Sequence, residues 1–171
     1  MSDSANEHRR ASEVLGAIPV AILTVSDTRT QDNDESGKLI GALLSEKGQV
    51  VHSYEIIKDE PALVSAFIDR LASEKKVRVL LITGGTGMSR RDGTFEVLEK
   101  KFEKTLPGFG ELFRSLSYAE IGAAAMLSRA TAGLVQGLAV FSMPGSAHAV
   151  RLAMEKLILP ELAHLVREIQ K

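Results

Sequence analysis

The chain contains no cysteine and no tryptophan among its 171 residues, and it contains only two tyrosines. The absence of cysteine excludes a disulfide framework, thiolate zinc sites, iron–sulfur clusters and a cysteine nucleophile. An excess of charge of one sign is also lacking, because the formal net charge is -1. A chain without an excess of positive charge and with few aromatic rings offers neither a groove that follows phosphates nor a platform that stacks bases. We therefore expect that it does not bind nucleic acid.

An uninterrupted apolar segment of membrane length is lacking as well. Residues 130–150 carry no formal charge and are about long enough to span a bilayer, but Gln136, Pro144 and His148 interrupt them. The first ten residues are polar and charged, and no apolar core follows them as it would in a signal peptide. These patterns predict a cytoplasmic protein that does not associate with membranes.

The composition itself is that of an ordinary globular domain. Hydrophobic residues make up 44% of the chain and charged residues 25%, which is close to the average for folded domains. A chain of this length accommodates one domain with its own core. Because the first segment is polar and has no periodicity, we predict a flexible N-terminal arm over residues 1–16 and a single domain over residues 17–171.

Three apolar runs of strand length occur in the first half of the chain, and segments with apolar residues at helical spacing separate them. The predicted strands are residues 20–25, 50–57 and 78–83, and the predicted helices include residues 39–44 and 61–71. Runs that are apolar on both faces suit strands covered by helices on each side. This βαβαβ order predicts an α/β fold with a mostly parallel central sheet.

The second half of the chain continues with shorter elements. Short helices are predicted at residues 95–101 and 111–118, and strands at residues 130–135 and 138–143. Gln136 and Gly137 separate these two strands, which is typical of a hairpin turn. A long final helix follows from Val150, and Pro160 is expected to kink or divide it.

A cluster of glycines and threonines directly follows the third predicted strand. Its residues, which we call the glycine loop, are Thr83, Gly84, Gly85, Thr86 and Gly87. Glycines let the backbone approach a ligand closely, and exposed amides at such a turn bind phosphate. Open α/β sheets bind ligands at the carboxyl ends of their strands, where this loop lies. The loop matches neither the Walker nor the dinucleotide-binding pattern, so the residues alone indicate either a phosphate-binding loop or a tight turn.

Two aspartates are expected at the same edge of the sheet. Asp92 lies five residues beyond the glycine loop, and Asp59 follows the second strand. A carboxylate beside a phosphate-binding loop suits Mg²⁺, which prefers carboxylate oxygens together with substrate phosphates. The alternative is that Asp92 or Thr94 caps the next helix, and that Asp59 belongs to the start of the helix at Pro61.

Two further segments lead to this edge. Ser26 ends the first strand, and Asp34 follows in an acidic, hydroxyl-rich loop that is either part of a nucleotide or metal site or merely solvated. Pro144 and Gly145 close the last strand and precede a helix whose N-terminal amides favour anions. The four histidines show no metal-ligand spacing.

These motifs occur together in one order. They are Ser26-Asp27, Asp34-Glu35-Ser36-Gly37, the glycine loop, Arg91-Asp92 with Thr94, Pro107-Gly108-Phe109-Gly110-Glu111, Met126-Leu127-Ser128-Arg129 and Pro144-Gly145. In this combination the chain resembles the molybdopterin-binding domain family from about residue 19 to the C-terminus. Within that family it is most similar to the branches of the bacterial molybdenum cofactor biosynthesis protein B and the Mog-type molybdopterin adenylyltransferases.

The resemblance implies a three-layer α/β/α sandwich that assembles as a homotrimer or homohexamer. It also implies an ATP- and Mg²⁺-dependent reaction in which molybdopterin is adenylylated and pyrophosphate is released, and contacts with other enzymes of molybdenum cofactor biosynthesis. Asp59 and Asp92 match the family's two catalytic carboxylates, which act on the metal and the reacting phosphates. The positions that match its substrate- and nucleotide-binding residues are Ser26, Asp34, the glycine loop, Thr94, Ser128, Pro144 and Gly145.

Three residues depart from the family pattern. Gly93 stands where the family usually has a bulkier residue, Phe95 where it usually has a proline, and Ala147 where it usually has a second proline. Gly93 and Phe95 favour an alternative function, namely a protein that binds molybdopterin or a precursor without converting it. The retained Asp59 and Asp92 favour the enzyme. A purely structural subunit would leave these motifs without a role.

Overall fold

A computed structural model describes residues 16–171. Its strands are β1 Pro19–Val25, β2 Val50–Ile57, β3 Val79–Thr83, β4 Lys104–Thr105, β5 Thr131–Val135 and β6 Leu138–Met143. Its α-helices are α1 Glu35–Glu46, α2 Pro61–Glu74, α3 Thr94–Lys101, α4 Pro107–Ile121, α5 Ala147–Ala153 and α6 Leu159–Ile169. A 3₁₀ segment, Gly122–Leu127, follows α4, and a π-helical turn, Met154–Ile158, joins α5 to α6. The arm predicted over residues 1–16 lies, apart from Gly16, outside the described residues. None of the helices formed by residues 16–171 has the length and apolarity needed to cross a membrane.

The sheet has the strand order β2-β1-β3-β6-β5-β4. The strands β2, β1, β3 and β6 pair in parallel, and β5 pairs antiparallel with both β6 and β4. The predicted βαβαβ order and the mostly parallel sheet are therefore confirmed. The predicted hairpin also forms, because Gln136 and Gly137 both have positive φ values, of 50° and 82°, as a two-residue turn between twisted strands requires.

Helices cover both faces of the sheet and make three layers. In β3, Val79 and Leu81 pack into a core beneath α1, α4, α5 and α6. Leu80 and Ile82 point to the opposite face and pack into a second core beneath α2 and α3. Successive residues of a strand face opposite sides, so an entirely apolar strand is required between two layers of helices. The predicted three-layer α/β/α sandwich is confirmed.

The strand order places a crevice at one edge of the sheet. After β1 the chain continues to β2, at one end of the sheet. After β3 it continues in the opposite direction, to β4, β5 and β6. Ligands of open α/β sheets bind outside the carboxyl ends of strands at such a change of direction. Ser26 directly follows β1, and the glycine loop begins with Thr83, the last residue of β3, so both flank this crevice.

Some elements differ from the sequence expectations. The helix predicted at residues 111–118 begins at Pro107, in the first turn, where proline is tolerated. It ends only before Gly122, which has a φ of 62°. The strand β4 was not predicted, because it has two exposed residues and forms only by pairing with β5. The final helix is divided as predicted, by the π-helical turn that ends two residues before Pro160.

Candidate active site

A cavity of about 550 Å³ opens at the carboxyl ends of β1, β3 and β6. Most of the residues predicted for the site line it: Ser26, Asp34, Thr83, Gly84, Gly85, Thr86, Gly87, Asp92, Ser128, Pro144 and Gly145. Asp59 and Thr94 are not among the residues that line it. Thr94 is fully buried, and Asp59 is half-buried beside the loop that carries Asp92.

Close packing on both sides determines the shape of the glycine loop. Gly84 and Gly85 have φ values of 93° and 64°, which side chains with a Cβ rarely adopt. A Cβ on Gly84 would lie 2.2 Å from the carbonyl oxygen of Val25, and one on Gly85 would lie 2.2 Å from Thr94 Oγ1. The Gly84 amide donates to the Met143 carbonyl at 3.1 Å. The loop is therefore tied to β1, β6 and α3 together.

The glycine loop leaves backbone donors free. The amides of Gly85, Thr86 and Gly87 donate to no residue that the structure describes, although all three residues line the cavity. Unpaired backbone donors that are neither in a helix nor in a sheet require a partner such as water or a ligand. Successive free amides in a turn with positive φ values form an anion-binding concavity. This arrangement favours the phosphate-binding interpretation of the loop over that of a simple tight turn.

Asp92 lies directly against the glycine loop. A Cβ on Gly87 would lie 2.6 Å from Asp92 Oδ2, so a side chain at position 87 would have to displace this carboxylate. Asp92 Oδ2 accepts a hydrogen bond from the Ser89 amide at 2.8 Å. The N-cap of α3 is Gly93, without a side-chain cap, so the alternative in which Asp92 or Thr94 caps this helix is wrong.

Asp59 contacts the same loop from the other side. Its Oδ1 accepts a hydrogen bond from the Gly93 amide at 3.5 Å, and Glu60 rather than Asp59 is the N-cap of α2. Burial raises the pKa of Asp59; the Gly93 amide opposes this, and the neighbouring carboxylates of Asp92 and Asp27 raise the pKa further. The two predicted carboxylates therefore lie close enough to repel each other.

This cluster of oxygen donors suits a magnesium ion. A cation beside Asp59 and Asp92 would relieve their repulsion, and Mg²⁺ takes oxygen ligands. Within residues 16–171 no group of three or more histidines, cysteines, aspartates or glutamates is arranged to hold a metal. A Mg²⁺ held by one or two carboxylates would take its other ligands from water and substrate phosphates, as this ion commonly does.

Asp34 lines the cavity, but internal hydrogen bonds occupy its carboxylate. The carboxylate accepts from Thr24 Oγ1 at 2.5 Å, from the Tyr54 hydroxyl at 2.6 Å and from the Gly37 amide at 3.0 Å. Burial raises the pKa of Asp34, but these hydrogen bonds together with the charge of Arg29 outweigh burial and hold the pKa below its ordinary value. Burial and the Asp34 carboxylate raise the pKa of Tyr54, so Tyr54 remains a donor. The observed contacts make Asp34 an anchor for the start of α1.

Replacing Asp34 with asparagine is expected to lower the free energy of unfolding by about 1–3 kcal/mol at pH 7, because buried donors lose a charged acceptor. A carboxyl with a lowered pKa stabilises the folded state above its unfolded pKa and loses that effect as the pH falls through its folded pKa. The stabilities of parent and variant should therefore converge only below about pH 4. Urea titrations of the parent and the variant at pH 7 and below about pH 4 measure this difference.

The matched control is Asp32→Asn in the same loop, since the Asp32 side chain is exposed and no residue from 16 to 171 donates to its carboxylate in this way. We expect it to leave stability unchanged at both pH values. An Asp34→Asn variant as stable as the parent at pH 7 would show that the carboxylate is not needed for folding.

Several cavity residues were not predicted from the sequence. Arg29 lies on the wall beside Ser26, and its guanidinium donates to the Asn33 carbonyl at 2.9 Å. Glu120 and His148 meet across the rim, with 2.7 Å between Glu120 Oε2 and His148 Nε2. These residues come from different elements and share no local motif. In the sequence, only the acidic and hydroxyl-rich composition of residues 26–36 indicated that the segment containing Arg29 belongs to the site.

The structure gives a physical reason for two of the three departures from the family pattern. A Cβ on Gly93 would lie 2.7 Å from the ring of Pro61, so a bulkier residue does not fit there. The Arg129 guanidinium lies over the ring of Phe95, with 5.0 Å between Arg129 Cζ and the centroid of the ring. Ala147 is the first residue of α5 after the N-cap Ser146, and no contact explains why it replaces proline. None of the three fills the cavity.

Comparisons with known proteins agree with this arrangement. Residues 21–164 match the family described as "Probable molybdopterin binding domain". The chain is 50% identical over 169 residues to "Molybdenum cofactor biosynthesis protein B" of Bacillus subtilis (strain 168), covering 98% of both chains. It is 48% identical to the protein of the same name from Halalkalibacterium halodurans, again over 98% of both chains.

Solved structures have the same fold. A crystal structure of molybdenum cofactor biosynthesis protein B matches with a TM-score of 0.87 and 48% identity, covering 90% of this chain and 96% of the other. The tungsten cofactor synthesizing protein MoaB from Pyrococcus furiosus matches with a TM-score of 0.80 and 37% identity, covering 91% and 98%. The family match covers most of the chain and the relatives align along nearly all of it, so the chain belongs to the molybdopterin-binding domain family, together with the proteins named molybdenum cofactor biosynthesis protein B.

Proposed function

We propose that the protein acts in molybdenum cofactor biosynthesis by adenylylating molybdopterin with ATP and Mg²⁺. The observation that carries the proposal is the contact between Asp92 and the glycine loop. The Asp92 carboxylate lies against Gly87 beside a row of free backbone amides, so one end of the cavity combines a metal-binding group with phosphate-binding groups. The relatives named molybdenum cofactor biosynthesis protein B support the choice of pathway.

The two sides of the cavity suit a nucleotide or a pterin with its phosphate. One side has the glycine loop, Ser26 and Arg29, and it supplies hydrogen-bond donors and one fixed cation. The opposite side has Phe113, Ala125 and other apolar residues from α4 and the 3₁₀ segment. A flat ring gains apolar contact there, whereas its phosphates reach the donors, which is a common design of small-molecule sites.

In the proposed reaction, an oxygen of the molybdopterin phosphate forms a bond to the α-phosphorus of ATP. The bond from that phosphorus to the oxygen bridging to the β-phosphate breaks, and pyrophosphate leaves with the electron pair. Mg²⁺, when bound, neutralises charge on the phosphates. The glycine-loop amides and Arg29 hold the phosphates, Asp92 and Asp59 hold the cation, and the cavity orients both substrates. Positioning and charge neutralisation supply most of the rate in such transfers.

The direct test incubates the pure protein with molybdopterin, ATP and Mg²⁺ and measures adenylylated molybdopterin and pyrophosphate. Formation of both, dependent on Mg²⁺, supports the enzyme. Calorimetric binding of molybdopterin without any product would favour the alternative, a protein that binds molybdopterin or a precursor without turnover. Absence of both binding and product would reject both functions.

We also propose that the protein is a homo-oligomer, a trimer or a hexamer. Ile121, Met126 and Leu127, at the end of α4 and in the 3₁₀ segment, are exposed by 53%, 78% and 61%. Exposed apolar patches of this kind mark interfaces on many folded proteins. Light scattering at micromolar concentration should give three or six times the chain mass of 18.5 kDa.

Met126→Lys should lower that mass, because a charge is costly in a buried apolar interface. The matched control is Met88→Lys, since Met88 is 71% exposed but lies outside this patch, and it should leave the mass unchanged. A parent mass near 18.5 kDa would contradict the proposal.

A further inference from the structure

Arg129 makes an unusual set of contacts just outside the cavity. Its guanidinium Nε donates to the Thr86 carbonyl at 3.1 Å, and Nη2 donates to the Asp92 carbonyl at 3.1 Å and also to the Gly87 carbonyl. Nη1 forms an ion pair with Glu96. The side chain is only 18% exposed. One arginine therefore joins the glycine loop, the Asp92 segment and α3.

The carbonyl contacts determine where the backbone amides point. In a trans peptide unit the C=O and the N–H of the next residue point in opposite directions. Since the carbonyls of Thr86 and Gly87 point to Arg129, the amides of Gly87 and Met88 point away from it. Arg129 is not part of the cavity wall, whereas Gly87 is. The Gly87 amide thus points to the cavity side of the loop.

The third carbonyl contact lies in the peptide unit that links the backbone of Asp92 to the Asp59 carboxylate. The peptide unit between Asp92 and Gly93 accepts from Arg129 through its oxygen and donates to Asp59 Oδ1 through its nitrogen. The backbone of Asp92 is therefore held between a partly buried guanidinium and a carboxylate. Phe95, which departs from the family pattern, supports the guanidinium from below at 5.0 Å.

We propose that Arg129 is a positioning residue that turns the Gly87 amide of the glycine loop towards bound phosphate and holds Asp92 beside it. The inference rests on the proposed function for the identity of the phosphate compound, ATP with Mg²⁺. Arg129 acts through the backbone and does not itself touch the substrate. Lysine keeps the charge, but as a single point donor it cannot replace a planar group that reaches three carbonyls.

The test compares the parent with Arg129→Lys by hydrogen-exchange mass spectrometry and by calorimetry with Mg·ATP. We expect exchange in residues 85–93 to become about tenfold faster and the Kd for Mg·ATP to rise by about tenfold or more, since several charged hydrogen bonds are lost. A second measurement uses the parent alone and compares its hydrogen exchange with and without pyrophosphate and Mg²⁺. At concentrations at which calorimetry shows that pyrophosphate is bound, pyrophosphate should protect residues 85–88 from exchange.

Two matched controls separate the carbonyl contacts from the other interactions of Arg129. Arg70 also pairs with a glutamate, Glu55, at 2.7 Å and lies 4.9 Å above a phenylalanine ring, but it donates to no carbonyl in the described part of the chain. Arg70→Lys should leave loop exchange and Mg·ATP affinity unchanged. Glu96→Gln removes the ion pair of Arg129 and leaves its three carbonyl contacts, so it should have a smaller effect than Arg129→Lys.

Unchanged exchange and affinity in Arg129→Lys would overturn the inference, as would a bound pyrophosphate that protects no amide in residues 85–88. An equal loss in Glu96→Gln would also overturn it, because the ion pair would then be what holds the loop. A parent that fails to adenylylate molybdopterin overturns the proposed function alone, since loop exchange still reports on Arg129. If the parent does not bind Mg·ATP, the exchange rates of residues 85–93 in the parent and in Arg129→Lys decide whether Arg129 holds the loop.

Discussion

Replacing Asp92 with asparagine is expected to reduce molybdopterin adenylylation by about a hundredfold or more, the usual cost of losing one electrostatic contact in an active site. The melting temperature should stay near that of the parent. Asparagine keeps an oxygen that can accept from the Ser89 amide, which Asp92 contacts at 2.8 Å, and it keeps the shape that fits against Gly87. It removes the charge that a magnesium ion needs.

The measurement is the adenylylation rate beside the melting temperature for parent and variant. A suitable control is Asp69→Asn, because Asp69 pairs with Lys101 on the surface at 2.5 Å and lies away from the cavity. We expect the control to keep both the rate and the melting temperature. An Asp92→Asn protein that melts normally and still turns over like the parent would show that the carboxylate only stabilises its turn, and the proposed site assignment would then be wrong.

Gly84→Ala is the substitution expected to cost most in stability, about 2–4 kcal/mol of the free energy of unfolding. Gly84 has a φ of 93°, and its added Cβ would lie 2.2 Å from the carbonyl oxygen of Val25 at the end of β1. Backbone on a buried neighbouring strand cannot move aside as a flexible side chain can. The alanine must therefore displace either β1 or the glycine loop.

Two other glycines separate the causes of that loss. Gly137 has a φ of 82°, but no atom of the described residues lies within 4 Å of an added Cβ, so Gly137→Ala carries only the backbone strain, about 1–2 kcal/mol. Gly108 has no positive φ, and an added Cβ there would meet no atom within 4 Å in the part of the chain that the structure describes, so Gly108→Ala should be neutral or slightly stabilising. Urea titration of the three variants measures the series. A Gly84→Ala loss no larger than that of Gly137→Ala would show that the contact with Val25 does not constrain the loop.

Most of the fold could be predicted because its signals are local. Each buried strand is an apolar run, and α1 and α2 repeat apolar residues at helical spacing, so β2 was predicted with its observed bounds. The Gln136-Gly137 turn and the division of the last helix at Pro160 also come from neighbouring residues. The strand β4 could not be predicted, because Lys104 and Thr105 are exposed and become a strand only through hydrogen bonds to β5.

The sequence by itself also determined which residues gather at the carboxyl edge, since parallel strands must end on the same side of a sheet. Only the tertiary structure decided what each of them contacts there. It turned the Asp34 carboxylate inward to Thr24 and Tyr54, 10 and 20 residues away along the chain, and it paired Asp59 with the Gly93 amide, outside the cavity lining. It also brought Arg129 to the loop carbonyls, 37 to 43 residues away. Such contacts leave no periodic trace in the chain, because they depend on the order and register in which the strands pair.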